Sequence, residues 1–274
     1  MLWLKRLEAI LRVGAGIAWL AAGPGLTAWA ARDLSTDRPD VTESPFTVEP
    51  GRVQIEASFA EYCRDRRNPE HAAVTAETWR ILPFNFRVGL APQAELQVMV
   101  DPRVEAKTDD RDAGVRAAAR GFGDVTVRAK WNFWGNDGGA TALGVMPFVK
   151  VPTAKDGLGN DSVEGGIVLP FARELSTGWS LGAMTEVDVV RTAADDGYVA
   201  AWVNTVTLGR DLTKRIGWYI EATSSVGEGK PALGADTGFT YTMNDDLQLD
   251  CGVNVGLTRA ADDLVLFAGF TKRI

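Results

Sequence analysis

The connections between segments constrain this chain more than any single motif does. From about Arg52 to Ile274 the sequence reads as twelve short alternating segments, joined by connections that are alternately tight and long. The tight ones fall at Gly89 to Gln93, Gly135 to Gly139, Ser176 to Gly178, Asp211 to Lys214 and Asn244 to Asp246. The long, charged ones lie near Arg64 to Thr75, Ala106 to Arg120, Pro152 to Asp161, Arg191 to Gly197, Gly227 to Leu233 and Thr258 to Asp263. Short turns at one end and long loops at the other are the layout of an antiparallel up-and-down transmembrane β-barrel. The expected fold class is therefore all-β, with about twelve strands, short periplasmic turns and longer extracellular loops.

Period-two alternation supports each strand. Val125, Val127, Ala129, Trp131 and Phe133 share one face, while Asp124, Thr126, Arg128, Lys130 and Asn132 share the other. Leu247, Leu249, Cys251, Val253 and Val255 alternate in the same way with Gln248, Asp250, Gly252 and Asn254. Pro83 and Pro147 fall inside the second and fifth segments and predict a bulge or register break there, because proline cannot donate to the ladder.

Alternation alone does not say which face meets water, since a soluble barrel or sandwich would bury the apolar row. The aromatic residues argue for a bilayer. One set lies beside the short turns: Phe84, Phe86, Trp131, Trp134, Phe171, Trp179, Trp218, Tyr219 and Tyr241. Another lies near the long loops: Tyr62, Trp79, Tyr198 and Trp202. Two aromatic levels bracketing an apolar band match two membrane interfaces. The expected location is the bacterial outer membrane.

The first thirty residues carry Lys5, Arg6 and Arg12 against Glu8, then an apolar stretch from Val13 to Leu26, then Ala28-Trp29-Ala30. That order reads as a secretory signal peptide over residues 1–30; an amphipathic N-terminal helix is the other reading. Residues 31–50 read as a separate N-terminal segment and residues 51–274 as the barrel. The chain holds 29 basic and 36 acidic residues. Without the first thirty the excess of acids grows, which argues against a nucleic-acid partner.

Several stretches carry a family resemblance. They include Ser35 to Pro45, Val48-Glu49-Pro50-Gly51, Glu77-Thr78-Trp79-Arg80, Gly121-Phe122-Gly123-Asp124 and Met146-Pro147-Phe148-Val149-Lys150. Gly159-Asn160-Asp161, Val163-Glu164-Gly165-Gly166, Thr185-Glu186-Val187-Asp188 and Thr258 to Asp263 continue the set. Over residues 35–274 the chain resembles the outer-membrane transporters grouped under the MetA pathway of phenol degradation. The resemblance implies a barrel that admits small, aromatic or hydrophobic molecules by diffusion. It also implies outer-membrane lipid, lipopolysaccharide, the barrel-assembly machinery and a small-molecule solute as partners.

Parity places Arg128, Lys130, Glu164, Glu186, Asp188, Glu221 and Asp250 on the inner wall, as lumen-lining or binding candidates. Such a row is either an electrostatic lining that selects solutes or a set of cross-strand ion pairs that stiffens the wall. The N-terminal segment, with Asp37, Arg38, Asp40 and Glu43, is the candidate plug, able to meet Arg128 or Lys130 from the periplasmic end. A disordered tail is the other reading of its prolines and polar residues. Catalysis is not expected. The single histidine, His71, sits in a loop, and there is no Gly-x-Ser-x-Gly elbow. An outer-membrane lipid-modifying enzyme and a structural barrel without an open pore are the alternatives to a channel. No cofactor or metal site is expected, and Cys63 and Cys251 are not expected to pair.

Overall fold

A computed structural model describes residues 32–66, 73–192 and 197–274. The signal-peptide expectation for residues 1–30 and the loop histidine His71 fall outside them. Among the described residues there are fifteen strand segments: β1 (Val53–Arg66), β2 (Val74–Ile81), β3 (Phe84–Ala91), β4 (Ala94–Val100), β5 (Arg103–Asp110), β6 (Val115–Gly121), β7 (Val125–Trp134) and β8 (Thr141–Val151), followed by β9 (Glu164–Ser176), β10 (Trp179–Arg191), β11 (Tyr198–Asp211), β12 (Ile216–Val226), β13 (Ala232–Asn244), β14 (Leu247–Gly256) and β15 (Leu264–Arg273). All pair antiparallel, and β15 returns to β1 to close the sheet. Closure leaves the membrane-spanning wall without an unpaired edge, as a bilayer requires.

Twelve staves make the barrel, because three of them are broken in two. β3 and β2 are the lower and upper halves of the second stave; β4 with β5 and β7 with β6 form the third and fourth. The breaks lie side by side. Leu82 takes a left-handed φ of 55° ahead of Pro83. Opposite it, β1 bulges at Phe59. The next stave breaks at Asp101-Pro102 and the next at Phe122-Gly123-Asp124, where the Gly123 N–H donates to the Asp101 carbonyl at 2.9 Å. Pro83 and Pro102 have no N–H to give a ladder, so the break is written in the sequence. Above this line β2, β5 and β6 rise as a tall hairpin array. The stretch Ala106 to Arg120, expected as a long loop, is therefore mostly strand, with only residues 111–114 turning. Pro147 behaves differently from Pro83. It is held within β8, and the β7–β8 ladder omits pairs there without changing register.

Below the line of breaks the outward face carries an apolar band. Phe133, Ile167, Val206, Ile220, Phe239 and Leu266 all lie exposed on it. Exposed apolar surface on this scale fits lipid, not water. Trp131, Trp134 and Tyr241 near the short turns, and Trp79, Tyr198 and Trp202 near the loops, are likewise exposed. Tyr219 departs from the expected aromatic belt. It is 6% exposed and turns into the lumen, because it shares parity with Glu221 on β12. Cys63 and Cys251 are both free.

Gly89 marks a place where chain meets chain. A Cβ there would stand 2.0 Å from the Glu49 carbonyl oxygen, where the N-terminal segment runs along β3. Gly89→Ala should therefore lower stability by about 1–3 kcal/mol, the usual cost of overpacking. Gly197→Ala, which meets nothing within 4 Å among the described residues, should cost little. Urea unfolding followed by the mobility of unboiled protein on a gel checks both.

Candidate functional site

Inside the barrel, residues 32–50 form a loop that rises from the short-turn end and returns to it. Both legs are anchored at the bottom: the Arg32 N–H donates to Glu49 Oε1 at 2.8 Å, and Glu49 pairs with Arg273 of β15 at 3.2 Å. Higher up the legs meet each other, Ser35 Oγ to Ser44 Oγ at 2.8 Å. The Val48 N–H donates to Glu95 of β4 at 2.6 Å, and Asn132 of β7 donates to the Pro45 carbonyl at 2.9 Å.

A five-membered charge cluster holds the middle of the loop. Asp37 accepts from Lys130 at 2.6 Å and lies 3.2 Å from Arg87. Arg87 in turn reaches Glu56 at 2.6 Å and Glu95 at 2.9 Å. All five side chains are at most 4% exposed. Gln97 adds a 2.8 Å bond to Asp37. Burial alone would raise the Asp37 carboxyl, but Arg87 and Lys130 outweigh it and hold the group below its ordinary range.

The apex of the loop touches the opposite wall. Arg38 pairs with Asp250 of β14 at 2.6 Å, donates to Ser58 at 2.7 Å and lies 5.6 Å over the Phe267 ring. The Val41 and Thr42 N–H groups both donate to Glu221 of β12 at 2.8 Å. Glu43 pairs with Arg128. Asp37, Arg38 and Glu43 of the expected plug residues are thus each in contact with the wall. Asp40 lies beside Glu221 and Thr207.

Of the lumen candidates, Arg128, Lys130, Glu221 and Asp250 meet the loop. Glu164 lies one row higher than Arg128, while Asp188 is on the Arg128 row through Gly166 and Phe148. Glu164 pairs with Lys150 at 2.6 Å near the extracellular rim. Glu186 and Asp188 share one face of β10, and Asp188 Oδ1 is buried without a hydrogen-bond partner. A recess of about 460 Å³ beneath the rim is lined by Arg80, Asp101, Asp124, Lys150 and Asn160 among others.

Two features escaped the parity reading. One is Arg87, whose signal was present in Phe84-Asn85-Phe86-Arg87 but hidden by the neighbouring Pro83. The other is an apolar strip on the inner wall. Met146, Val168 and Met184 are buried there, with Phe148 and Val203 packed against them. The Arg128 guanidinium lies 5.6 Å over the Phe148 ring. The lumen is therefore amphipathic, not uniformly polar. Among the described residues no group of His, Cys, Asp and Glu side chains is placed to hold a metal ion.

Burial, then the Glu221 carboxylate alongside, pushes the Asp40 carboxyl from 3.8 up to about 8. An acid with a raised pKa in the docked loop binds its proton more tightly there. This contribution to docking is full below about 3.8 and is lost as pH rises through about 8. Proteolysis of residues 32–50 should accelerate at least roughly threefold between about pH 6 and pH 9.5, and Asp40→Asn should flatten that rise.

The fold has known counterparts. An outer-membrane channel from Pseudomonas putida F1 superposes with a TM-score of 0.64 at 10% identity, over 88% of this chain and 100% of that one. The transport unit of the autotransporter AIDA-I from Escherichia coli gives 0.53 at 9% identity, over 94% and 96%. The NanC porin gives 0.50 at 7% identity, over 81% and 100%. At these identities the likeness is one of fold. No protein of curated function matches the chain. The closed barrel with its lipid-facing apolar wall lies in the outer membrane. Residues 36–274 match the profile described as "Putative MetA-pathway of phenol degradation", and the chain belongs to that family.

Proposed function

We propose that this barrel passes small molecules, aromatic or hydrophobic ones included, across the outer membrane by diffusion, and that the N-terminal loop gates it. The amphipathic inner wall carries the reading. A solute with an apolar body and a polar group would find the Met146, Phe148 and Met184 side chains beside Arg128 and the Glu186–Asp188 face. Apolar surface with a few placed polar groups is how small-molecule sites are built. The loop supports the gating part, because its apex reaches Arg128, Glu221 and Asp250 on separate sectors of the wall. Passage then requires the apex to shift.

Diffusion needs no catalytic group, and the proposal assigns none. Planar-bilayer recording of the folded mature protein tests it. Full-length protein should give small openings that phenol-like solutes block. Deletion of residues 32–49 should raise single-channel conductance roughly threefold or more, as removal of an obstruction from a pore does. Unchanged conductance after the deletion would rule out the gate. Silence from both proteins, each shown to be folded by gel mobility, would rule out the channel.

A further inference from the structure

The inward rows of β11 to β14 carry acids without bases. Glu221, Asp236 and Asp250 face the lumen there, and no lysine or arginine of these four strands does. Arg38 of the loop answers Asp250, two inward rows below Asp236. Glu221 is answered by the Val41 and Thr42 N–H groups. Asp236 is left. It sits on β13 directly opposite Glu221, is only 4% exposed, and has Asp40 of the loop apex nearby as a third acid. Like charges directly opposite on a sheet repel, and a buried acid without donors bears its full desolvation cost.

The polar atoms around Asp236 are unsatisfied as a group. Glu221 and the Tyr219 hydroxyl stand beside it. Yet neither Asp236 oxygen closes a hydrogen bond among the described residues, nor does the buried Tyr219 hydroxyl. Asn254, the cross-strand partner of Asp236 on β14, also has its Oδ1 buried without a partner. Below Asp236 lies an aromatic floor. The Tyr219 ring crosses Gly238, where a Cβ would stand 2.7 Å from its Cε1, and its hydroxyl reaches Gly252 beside the Phe267 ring. Arg38 takes the Phe267 end of this floor, and no cation of the described residues lies over Tyr219. Small residues lead here from the extracellular mouth. Thr223 and Gly234 form the next inward row, and Ser225 and Ala232 the one after, at a recess of about 370 Å³.

We infer that Asp236, with Glu221, Asn254 and the Tyr219 ring, is a binding site for the ammonium group of a small cationic solute. An ammonium group has three donors and no acceptor, which matches the two Asp236 oxygens and the Asn254 Oδ1. An aromatic face suits the same charge. The Asp236 contact joins charge to hydrogen bond and is the strongest of the set. The inference rests on the channel reading only for the route by which the solute arrives.

Isothermal titration calorimetry of the folded mature protein in detergent, at fixed ionic strength, tests it with benzylammonium as the probe. One site should fill. Benzyl alcohol, the same ring without the charge, should bind about tenfold more weakly or worse. Asp236→Asn should weaken benzylammonium about tenfold or more, the loss expected of one charge-assisted hydrogen bond. Tyr219→Leu, which removes the aromatic face, should weaken it roughly threefold. Undiminished binding by the Asp236→Asn protein would overturn the inference. So would equal binding of benzyl alcohol, no binding of benzylammonium by the parental protein, or a site that sodium fills equally well at the same concentration. If Asp236→Asn does not fold, the alcohol comparison on the parental protein decides. No step of the test needs passage, so a barrel that conducts nothing would still show the site, and a conducting barrel without it would refute this inference alone.

Discussion

The rest of the structure depends on the guanidinium of Arg87. It lies fully buried between Glu56, Glu95 and Asp37, three carboxylates from two strands and the N-terminal loop. Taking such charges out of water costs several kcal/mol per ion, and only near-ideal geometry with further hydrogen bonds offsets that cost. The geometry is supplied by two scaffolds at once. The β1–β3–β4 ladders fix Glu56, Arg87 and Glu95 on neighbouring staves of the inner wall. The loop then brings Asp37, with Lys130 and Gln97 completing its shell. Without Asp37 the wall would hold Arg87 and Lys130 against two acids, so the loop adds the third acid and its own backbone donors. Loop and wall are for this reason one electrostatic unit.

The same logic explains where the barrel is rigid and where it is open. Below the line of breaks the lumen is filled by the loop and its ion pairs. Above it lies the recess beneath the rim, while the apolar strip stays beside the apex of the loop, where Phe148 is paired with Arg128 and the Glu43 N–H donates to Met184 Sδ at 3.4 Å. Proline and glycine at Pro83, Pro102 and Gly123 set this boundary, since they interrupt the ladder on three adjacent staves. The upper halves then rise clear of the barrel as an array of their own. A uniform cylinder of equal strands would have offered neither the tall outward face nor the recess.

Much of this was legible from residues alone. Turn spacing and alternation carry the twelve staves, because a period of two leaves its mark on every strand that has one face in lipid. The acids of the loop and the bases of β7 were visible as complementary charges; their pairing as Glu43 with Arg128 and Asp37 with Lys130 needed the fold. Arg87 was hidden because Pro83 obscured the parity of its stave. The apolar strip was hidden for a different reason. Met146, Val168 and Met184 are chemically the same as lipid-facing residues, and only register tells an inward methionine from an outward one. Tyr219 was misassigned on the same ground, since an aromatic near a turn suits the interface unless its strand parity turns it inward.

Amide hydrogen exchange of residues 37–48 in the folded protein tests the docked loop most directly. The N–H groups of Asp37, Thr42 and Val48 donate to the buried carboxylates of Glu56, Glu221 and Glu95. The account predicts protection of these amides comparable to that of the neighbouring strands. Exchange at the rate of an unstructured peptide would contradict it, and would mean that the wall holds its charges without the loop.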